Sequence, residues 1–143
     1  MQPGYALVPR NPQVEDYLRL RRESGLSPKT GEQAEASVQG AWAAVHAVAT
    51  ADGTTVGMAR LISDGGWYFH VIDVAVLPPH QRRGIADAML THLLTLVRTT
   101  AAPGAYVSLM ADPPGRRLYA RHGFTDSAPH SVGMMQVLGG TPD

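Results

Sequence analysis

Apolar positions along the chain recur with two different periods, and the change between them predicts the order of elements. Tyr5 to Val8 reads as a short strand ended by Pro9. Asn11 is placed to cap a helix with Pro12 at its first position, and Val14, Tyr17, Leu18 and Leu20 then share one helical face. Ser24-Gly25 closes that helix, "SGLSPKTGEQ" is a loop, and an Ala/Gln/Glu-rich second helix covers 32–38. The period then falls to two. Residues 42–50 and 55–63 flank "ADGT", an Asp-Gly turn, and "SDGGWY" is a second turn leading into a β-branched and aromatic strand over 67–77. Pro78-Pro79 ends it. Ile85, Met89, Leu93, Leu96 and Val97 restore the helical period over 83–98, and "AAPGA" breaks it. A short apolar strand at 105–110, a helix within "ADPPGRRLYARHGF" that stops at Gly123, and a last strand at 132–138 complete the series, with "GGTPD" expected to fray.

This order predicts a mixed α/β (α+β) fold: one largely antiparallel sheet with helices on its faces. No repeat or long linker divides the chain, so 1–143 is expected to form a single domain. Composition changes the picture chiefly by exclusion. Twelve basic and twelve acidic side chains balance, which gives no global pull towards nucleic acid or a membrane surface. The absence of cysteine excludes disulfides, thiolate zinc sites and a cysteine nucleophile. Histidines 46, 70, 80, 92, 122 and 130 show no metal-ligand spacing, so no metal is expected. The opening "MQPGYALVPR" has no apolar signal core and no run is long enough to span a bilayer, so a cytoplasmic protein is expected.

Against this neutral background, "HQRRGIADAML" concentrates charge at the mouth of a helix. A helix N-terminus carries free N–H groups and a partial positive charge, which together suit a phosphate. Gly84 and Ala86 leave the backbone accessible, and Arg82 and Arg83 add charge. The spacing is neither the dinucleotide fingerprint nor a P-loop. On these residues alone, a solvated arginine pair and an anion seat both stand.

The wider stretch "VIDVAVLPPHQRRGIADAMLTHLL" resembles the acyl-CoA signature of the GNAT superfamily of N-acyltransferases: an apolar strand, a proline-containing turn, then Q/R-x-x-G-x-G/A opening a helix. Downstream, "LYARHGF" resembles the second motif of that superfamily. "SGLSPKT", "VGMARLISDGG", "LMAD" and "SVGM" extend the similarity to a branch of bacterial and plastid-type amine acetyltransferases that includes serotonin N-acetyltransferases. Ala86 departs from the glycine common at its position. The resemblance implies a twisted sheet whose fourth and fifth strands splay, and acetyl-CoA as co-substrate. Gln81 and the backbone amides of Arg82, Arg83, Gly84, Ile85 and Ala86 would hold its pyrophosphate. Val74, Ala75 and Val76 would hold the pantetheine arm like an added strand, with a backbone N–H near Val74 or Ala75 meeting the thioester oxygen.

Acetyl transfer to an amine requires that the amine lose a proton, that the carbonyl oxygen be stabilised, and that the departing thiolate be protonated. By resemblance Tyr119 is the candidate acid and touches the cofactor; from its residue type alone it is equally a tyrosine packing at a helix end. Asp73 interrupts an apolar run. With residues 71, 73, 75 and 77 on one face of a regular strand, it becomes a desolvated carboxylate suited to act as base, or a structural aspartate held by an arginine. Asp112, seven positions before Tyr119, is a candidate for amine binding or proton removal, or a helix N-cap. His70 is expected on the strand face opposite Asp73, and neither Ser108 nor His122 fits a triad pattern. Leu26, Ser27, Trp42, Trp67, Tyr68 and Phe69, with Asp73, are candidate walls of the acceptor pocket, or core. The leading expectation is direct attack of a small primary amine, such as an arylalkylamine, on the thioester. A peptide or protein amine acetyltransferase and a non-catalytic acyl-CoA-binding module are the alternatives. The resemblance also allows a homodimer joined through the C-terminal strand.

Overall fold

The computed structural model describes residues 1–139. It contains two compact units, Met1–Leu109 and the segment from Met110 onward. The first unit holds β1 (Tyr5–Val8), α1 (Val14–Glu23), α2 (Gly31–Gln39), β2 (Ala43–Ala49), β3 (Thr55–Ser63), β4 (Tyr68–Val76), α3 (Ile85–Thr100) and β5 (Tyr106–Leu109). The strands form one sheet in the order β1-β2-β3-β4-β5. All neighbours are antiparallel except β4 and β5, which are parallel.

Two adjacent residues of β3 show how the sheet is covered. Met58 is fully buried in a cluster with Tyr17, Leu20, Ala34, Ala75 and Leu77, the α1/α2 side. Gly57 faces the other way. A Cβ there would lie 3.1 Å from the Ala75 carbonyl oxygen, 3.2 Å from Met89 and 3.3 Å from Ile85, so its missing side chain lets α3 lie close on the opposite face. α3 buries Ile85, Met89, Leu93 and Val97 as its sequence period predicts, and adds Leu90 and Leu94, whereas Leu96 is only half-buried. Helices on two faces of a mostly antiparallel sheet are the architecture expected from the sequence.

The ladder between β4 and β5 runs from Tyr68↔Tyr106 to Val71↔Leu109 and stops, whereas β4 continues to Val76. The parallel strands therefore part company half-way along β4. Just beyond that point β4 is irregular. Arg60 on β3 faces Ile72 and Met58 faces Ala75, so β4 takes three residue steps where β3 takes two. Asp73 sits within this bulge with a left-handed φ of 57°. The bulge corrects one expectation. Val71 faces Leu61, whereas Ala75 faces Met58, so Val71 and Ala75 lie on opposite faces. The regular alternation assumed for 71, 73, 75 and 77 breaks at Asp73.

Two boundaries also shift. α1 begins after Gln13, and Asn11, the expected cap, instead donates from Nδ2 to the Val38 carbonyl at 2.8 Å. α2 carries a full capping box between Thr30 and Gln33.

The second unit contains a 3₁₀ turn, Pro113–Gly115, and α4 (Arg116–Arg121). The strand expected at 132–138 does not form among the described residues. Gly133 interrupts its pattern, Met134-Met135 and Val137-Leu138 fall side by side rather than alternating, and no neighbouring strand pairs with it. The expected fray in "GGTPD" falls almost wholly outside the described residues.

Candidate active site

The loop from β4 to α3 begins with a 3₁₀ turn, Pro78–His80, as the proline pair dictates. Gln81 donates from Nε2 to the Val76 carbonyl at 3.0 Å, tying the loop back to the end of β4. Arg82 and Gly84 then both adopt left-handed φ values, 58° and 76°. Gly84 is the N-cap of α3 and, having no side chain, caps nothing. The first-turn amides, Ile85 and Ala86 among them, therefore receive no bond from an N-cap side chain. Alternating hand in successive residues turns backbone N–H groups inward into an anion-binding concavity. Arg82 and Arg83 are exposed, but they are not equivalent. Arg83 donates from Nη1 to the Tyr5 hydroxyl at 2.9 Å, with its guanidinium 5.9 Å from the Tyr5 ring centre, and the same hydroxyl lies 2.9 Å from His80 Nδ1. Arg83 is thereby held against β1.

Asp73 is 7% exposed and its carboxylate accepts from three buried side chains. Oδ2 accepts from the Tyr17 hydroxyl at 2.7 Å and from Arg60 Nε at 2.8 Å, with Arg60 Nη2 at 2.7 Å; Oδ1 accepts from Arg21 Nη1. The arginines are 6% and 4% exposed and pass their remaining bonds to backbone: Arg21 to the Ser27 carbonyl and hydroxyl, Arg60 to the Ser37 carbonyl. Two guanidiniums thus share one carboxylate, and carbonyl dipoles take up the excess positive charge. The Tyr17 phenol is pushed above its ordinary pKa by burial first and by Asp73 second, so it remains a donor. This is the arginine-held alternative for Asp73. Tyr17, Arg21 and Arg60 were not singled out by the sequence. Their only sequence signal is Arg21 following Tyr17 by one helical turn, on the face that α1 buries.

Other expected pocket residues divide. Leu26 packs on the apolar cluster, and exposed Ser27 accepts from Arg21 and Lys29. Phe69 is fully buried, with its ring centre 4.9 Å from that of Trp42 in an edge contact, so it is core rather than a wall. Trp67 and Tyr68 are exposed. Near the end of the parallel ladder, His70 Nδ1 lies 2.9 Å from Ser108 Oγ, which lies 2.8 Å from the Tyr68 hydroxyl. Burial pulls the His70 pKa below that of free imidazole, which keeps the ring neutral. This trio, too, is absent from the sequence reading, because it depends on the parallel register of β4 and β5.

In the second unit, Asp112 precedes the 3₁₀ turn but makes no side-chain capping bond. Its charge acts instead on Tyr119, whose pKa is raised by burial first and by Asp112 second. A Cβ on Gly115 would lie 2.7 Å from the Tyr119 ring, so the glycine makes room for it.

The family model for the acetyltransferase (GNAT) family matches residues 13–124, which covers β4, the β4–α3 loop and α4. The chain belongs to the GNAT acetyltransferase family. No curated protein matches it in sequence. Among solved structures, this acetyltransferase is similar to SA2161 of meticillin-resistant Staphylococcus aureus, a protein of unknown function described as a probable acetyltransferase. The two are 34% identical, over 93% of this chain and 98% of that one, with a TM-score of 0.88. A GNAT-family protein of Streptococcus pneumoniae, SP0256, shares the fold at 23% identity and a TM-score of 0.77, over 95% and 99% of the two chains. The Escherichia coli ribosomal-protein-S18-alanine N-acetyltransferase shares it at 15% identity and a TM-score of 0.70, over 87% and 79%. GNAT acetyltransferases take acetyl-CoA as acyl donor. Among the described residues of this one, no cluster of three or more His, Asp or Glu side chains could hold a metal, and no helix is long and apolar enough to cross a membrane.

Proposed function

We propose that the protein transfers the acetyl group of acetyl-CoA to a small primary amine, with the 143 residues acting as one catalytic domain. The observation that carries this reading is the uncapped α3 terminus behind two left-handed residues, at the end of a strand that has just left its parallel neighbour. The residues present fit the donor. The amides of Arg82, Arg83, Gly84, Ile85 and Ala86 are available to the pyrophosphate, with Gln81 fixing the loop. Val74, Ala75 and Val76 lie beyond the parallel ladder, where an amide-bearing arm satisfies strand groups as an added strand does. The bulge turns the β4 backbone where the thioester oxygen would need an N–H, at Val74 or Ala75.

Tyr119 is the proposed acid for the departing thiolate. Its raised pKa keeps the phenol protonated at neutral pH, and Asp112 helps to hold it so. Asp73 is proposed as a structural anion rather than the base, because both of its oxygens are bonded by a buried arginine and one also by a phenol. Leu26, Ser27 and Trp42 remain proposed acceptor contacts, and the exposed aromatics suit an arylalkylamine. Tyr119→Phe is expected to lower kcat by about 10–1000-fold while leaving acetyl-CoA affinity within a few fold, read by thiol release and calorimetry. Full activity in that variant would remove the acid role. The function itself is tested by offering acetyl-CoA with a panel of arylalkylamines, alkylamines and N-terminal peptides and identifying products by mass. Turnover of small amines is expected, turnover confined to peptides favours the protein-acetylating alternative, and CoA binding without turnover favours a binding module.

A further inference from the structure

The β4–α3 loop owes its shape to more than its own residues. Residues 1–5 lie against it and hold it by main chain and by side chain. The Gln2 N–H donates to the Arg83 carbonyl at 2.9 Å. Beside that bond the Met1 backbone packs on Gly84, where a Cβ would stand 3.0 Å from Met1 N and Cα. Further along, the Tyr5 hydroxyl accepts from Arg83 Nη1 at 2.9 Å. Arginine can only donate, so the phenol keeps its own proton for His80 Nδ1, also at 2.9 Å. Tyr5 thus ties His80 to Arg83 across Gln81 and Arg82, and its ring adds an edge contact to His80, 5.7 Å between centres. Residues 1–5 are themselves fixed to the sheet. Tyr5 pairs with Ala49 on β2, and the Gly4 carbonyl accepts from the Thr50 N–H at 2.9 Å.

The Gln2 bond decides the direction of one peptide. Carbonyl and N–H point opposite ways across a trans peptide plane. With the Arg83 carbonyl turned to Gln2, the Gly84 N–H is turned away from residues 1–2. The loop's own sequence does not enforce this. Glycine tolerates φ of either sign, so the plane between Arg83 and Gly84 can rotate at little steric cost. A flipped plane would offer a phosphate a carbonyl oxygen where the seat needs an N–H, and attraction would become repulsion. A ligand that binds only one of two loop states loses affinity in proportion to the fraction in that state.

We propose that Gln2, through its backbone N–H, and Tyr5, through its hydroxyl, are positioning residues for the pyrophosphate of acetyl-CoA. The inference rests on the acetyl-CoA seat proposed above. Neither residue touches a phosphate in this account. They hold Arg83 by its carbonyl and by its guanidinium, and so keep the Gly84 N–H directed at the anion. Arg83 is then a buttress of the loop more than a charge offered to the cofactor. The edge strand β1 becomes part of cofactor affinity, although β2 and β3 separate it from β4.

The test is a deletion of residues 2–4, which places Met1 directly before Tyr5 and removes the Gln2 donor while leaving β1 whole. Its Kd for CoA, measured by calorimetry, is expected to rise about 10-fold or more, the worth of one hydrogen bond to a charged group. Turnover at saturating acetyl-CoA should be kept, so that the loss falls on KM rather than kcat. Gln2→Leu changes the side chain, retains the backbone N–H and should bind CoA as the wild type does. Tyr5→Phe keeps the ring, loses the hydroxyl and should weaken CoA by a few fold. An unchanged Kd in the deletion, or an equal loss in Gln2→Leu, overturns the inference, as does a loss confined to kcat. Should the deletion fail to fold, an unchanged Kd in Tyr5→Phe overturns it. Absence of saturable CoA binding in the wild type overturns instead the seat on which it rests.

Discussion

Asp73→Asn should cost about 3–5 kcal/mol of stability, because it leaves two buried guanidiniums facing an amide in place of their shared anion. The loss follows from geometry rather than from any exposed charge. Arg21, Arg60 and Asp73 are all under a tenth exposed, and the Tyr17 hydroxyl adds a third donor at Oδ2. An asparagine keeps one acceptor oxygen and turns an NH2 group towards a donor. For a chain of this size the change should appear as a drop of about 10 °C or more in thermal midpoint. Activity per folded molecule should retain its pH profile, since Asp73 carries no proton in the reaction. An unchanged midpoint with a lost acid limb would make Asp73 the base after all. The same cluster holds the loop between α1 and α2: Arg21 binds the carbonyl and hydroxyl of Ser27, so a loosened Asp73 should also loosen that loop.

Gly84→Val is the second large effect, and it falls on cofactor binding. Valine is a poor occupant of φ 76°, which adds about 1–3 kcal/mol of strain. Its Cβ would also stand 3.0 Å from the backbone N and Cα of Met1. The loop must move, and the amides proposed to hold the pyrophosphate move with it. We expect affinity for acetyl-CoA to fall by about 100-fold or more, against a few fold for Arg82→Ala, whose side chain is exposed and contributes charge that salt screens. Calorimetry at two salt concentrations separates the two: Arg82→Ala should flatten the salt dependence, and Gly84→Val should leave it as it is. The opposite ranking would place the phosphates elsewhere. Arg83 is a poorer comparison, because it also anchors the loop to Tyr5.

Local pattern carried most of the fold. The stripe of α3, the Asp-Gly turn before β3 and the proline pair after β4 depend on neighbours in sequence, and they lie where the periodicity puts them. The start of α3 behind Gly84 was legible for the same reason. The site's interior was not. Strand alternation is a local rule, and one bulge at Asp73 reversed it, which is why Val71 was grouped with Asp73 and His70 was set apart from it. Asp73 is held by residues 13, 52 and 56 positions away in sequence, a distance that no motif spans. His70 and Ser108 meet only through a parallel register. The strand at 132–138 was expected from β-branched and apolar content, but a strand also needs a partner, and composition does not provide one.

The central claim is that acetyl-CoA is seated by the backbone of the β4–α3 loop, with its arm on the distal half of β4. Amide-resolved NMR of the labelled protein titrated with acetyl-CoA tests it most directly. The account predicts the largest, saturable shifts at the amides of Arg82 to Ala86, with a second group at Val74 to Val76 and none of comparable size along β1 to β3. Saturable binding that leaves Gly84, Ile85 and Ala86 unshifted would contradict it.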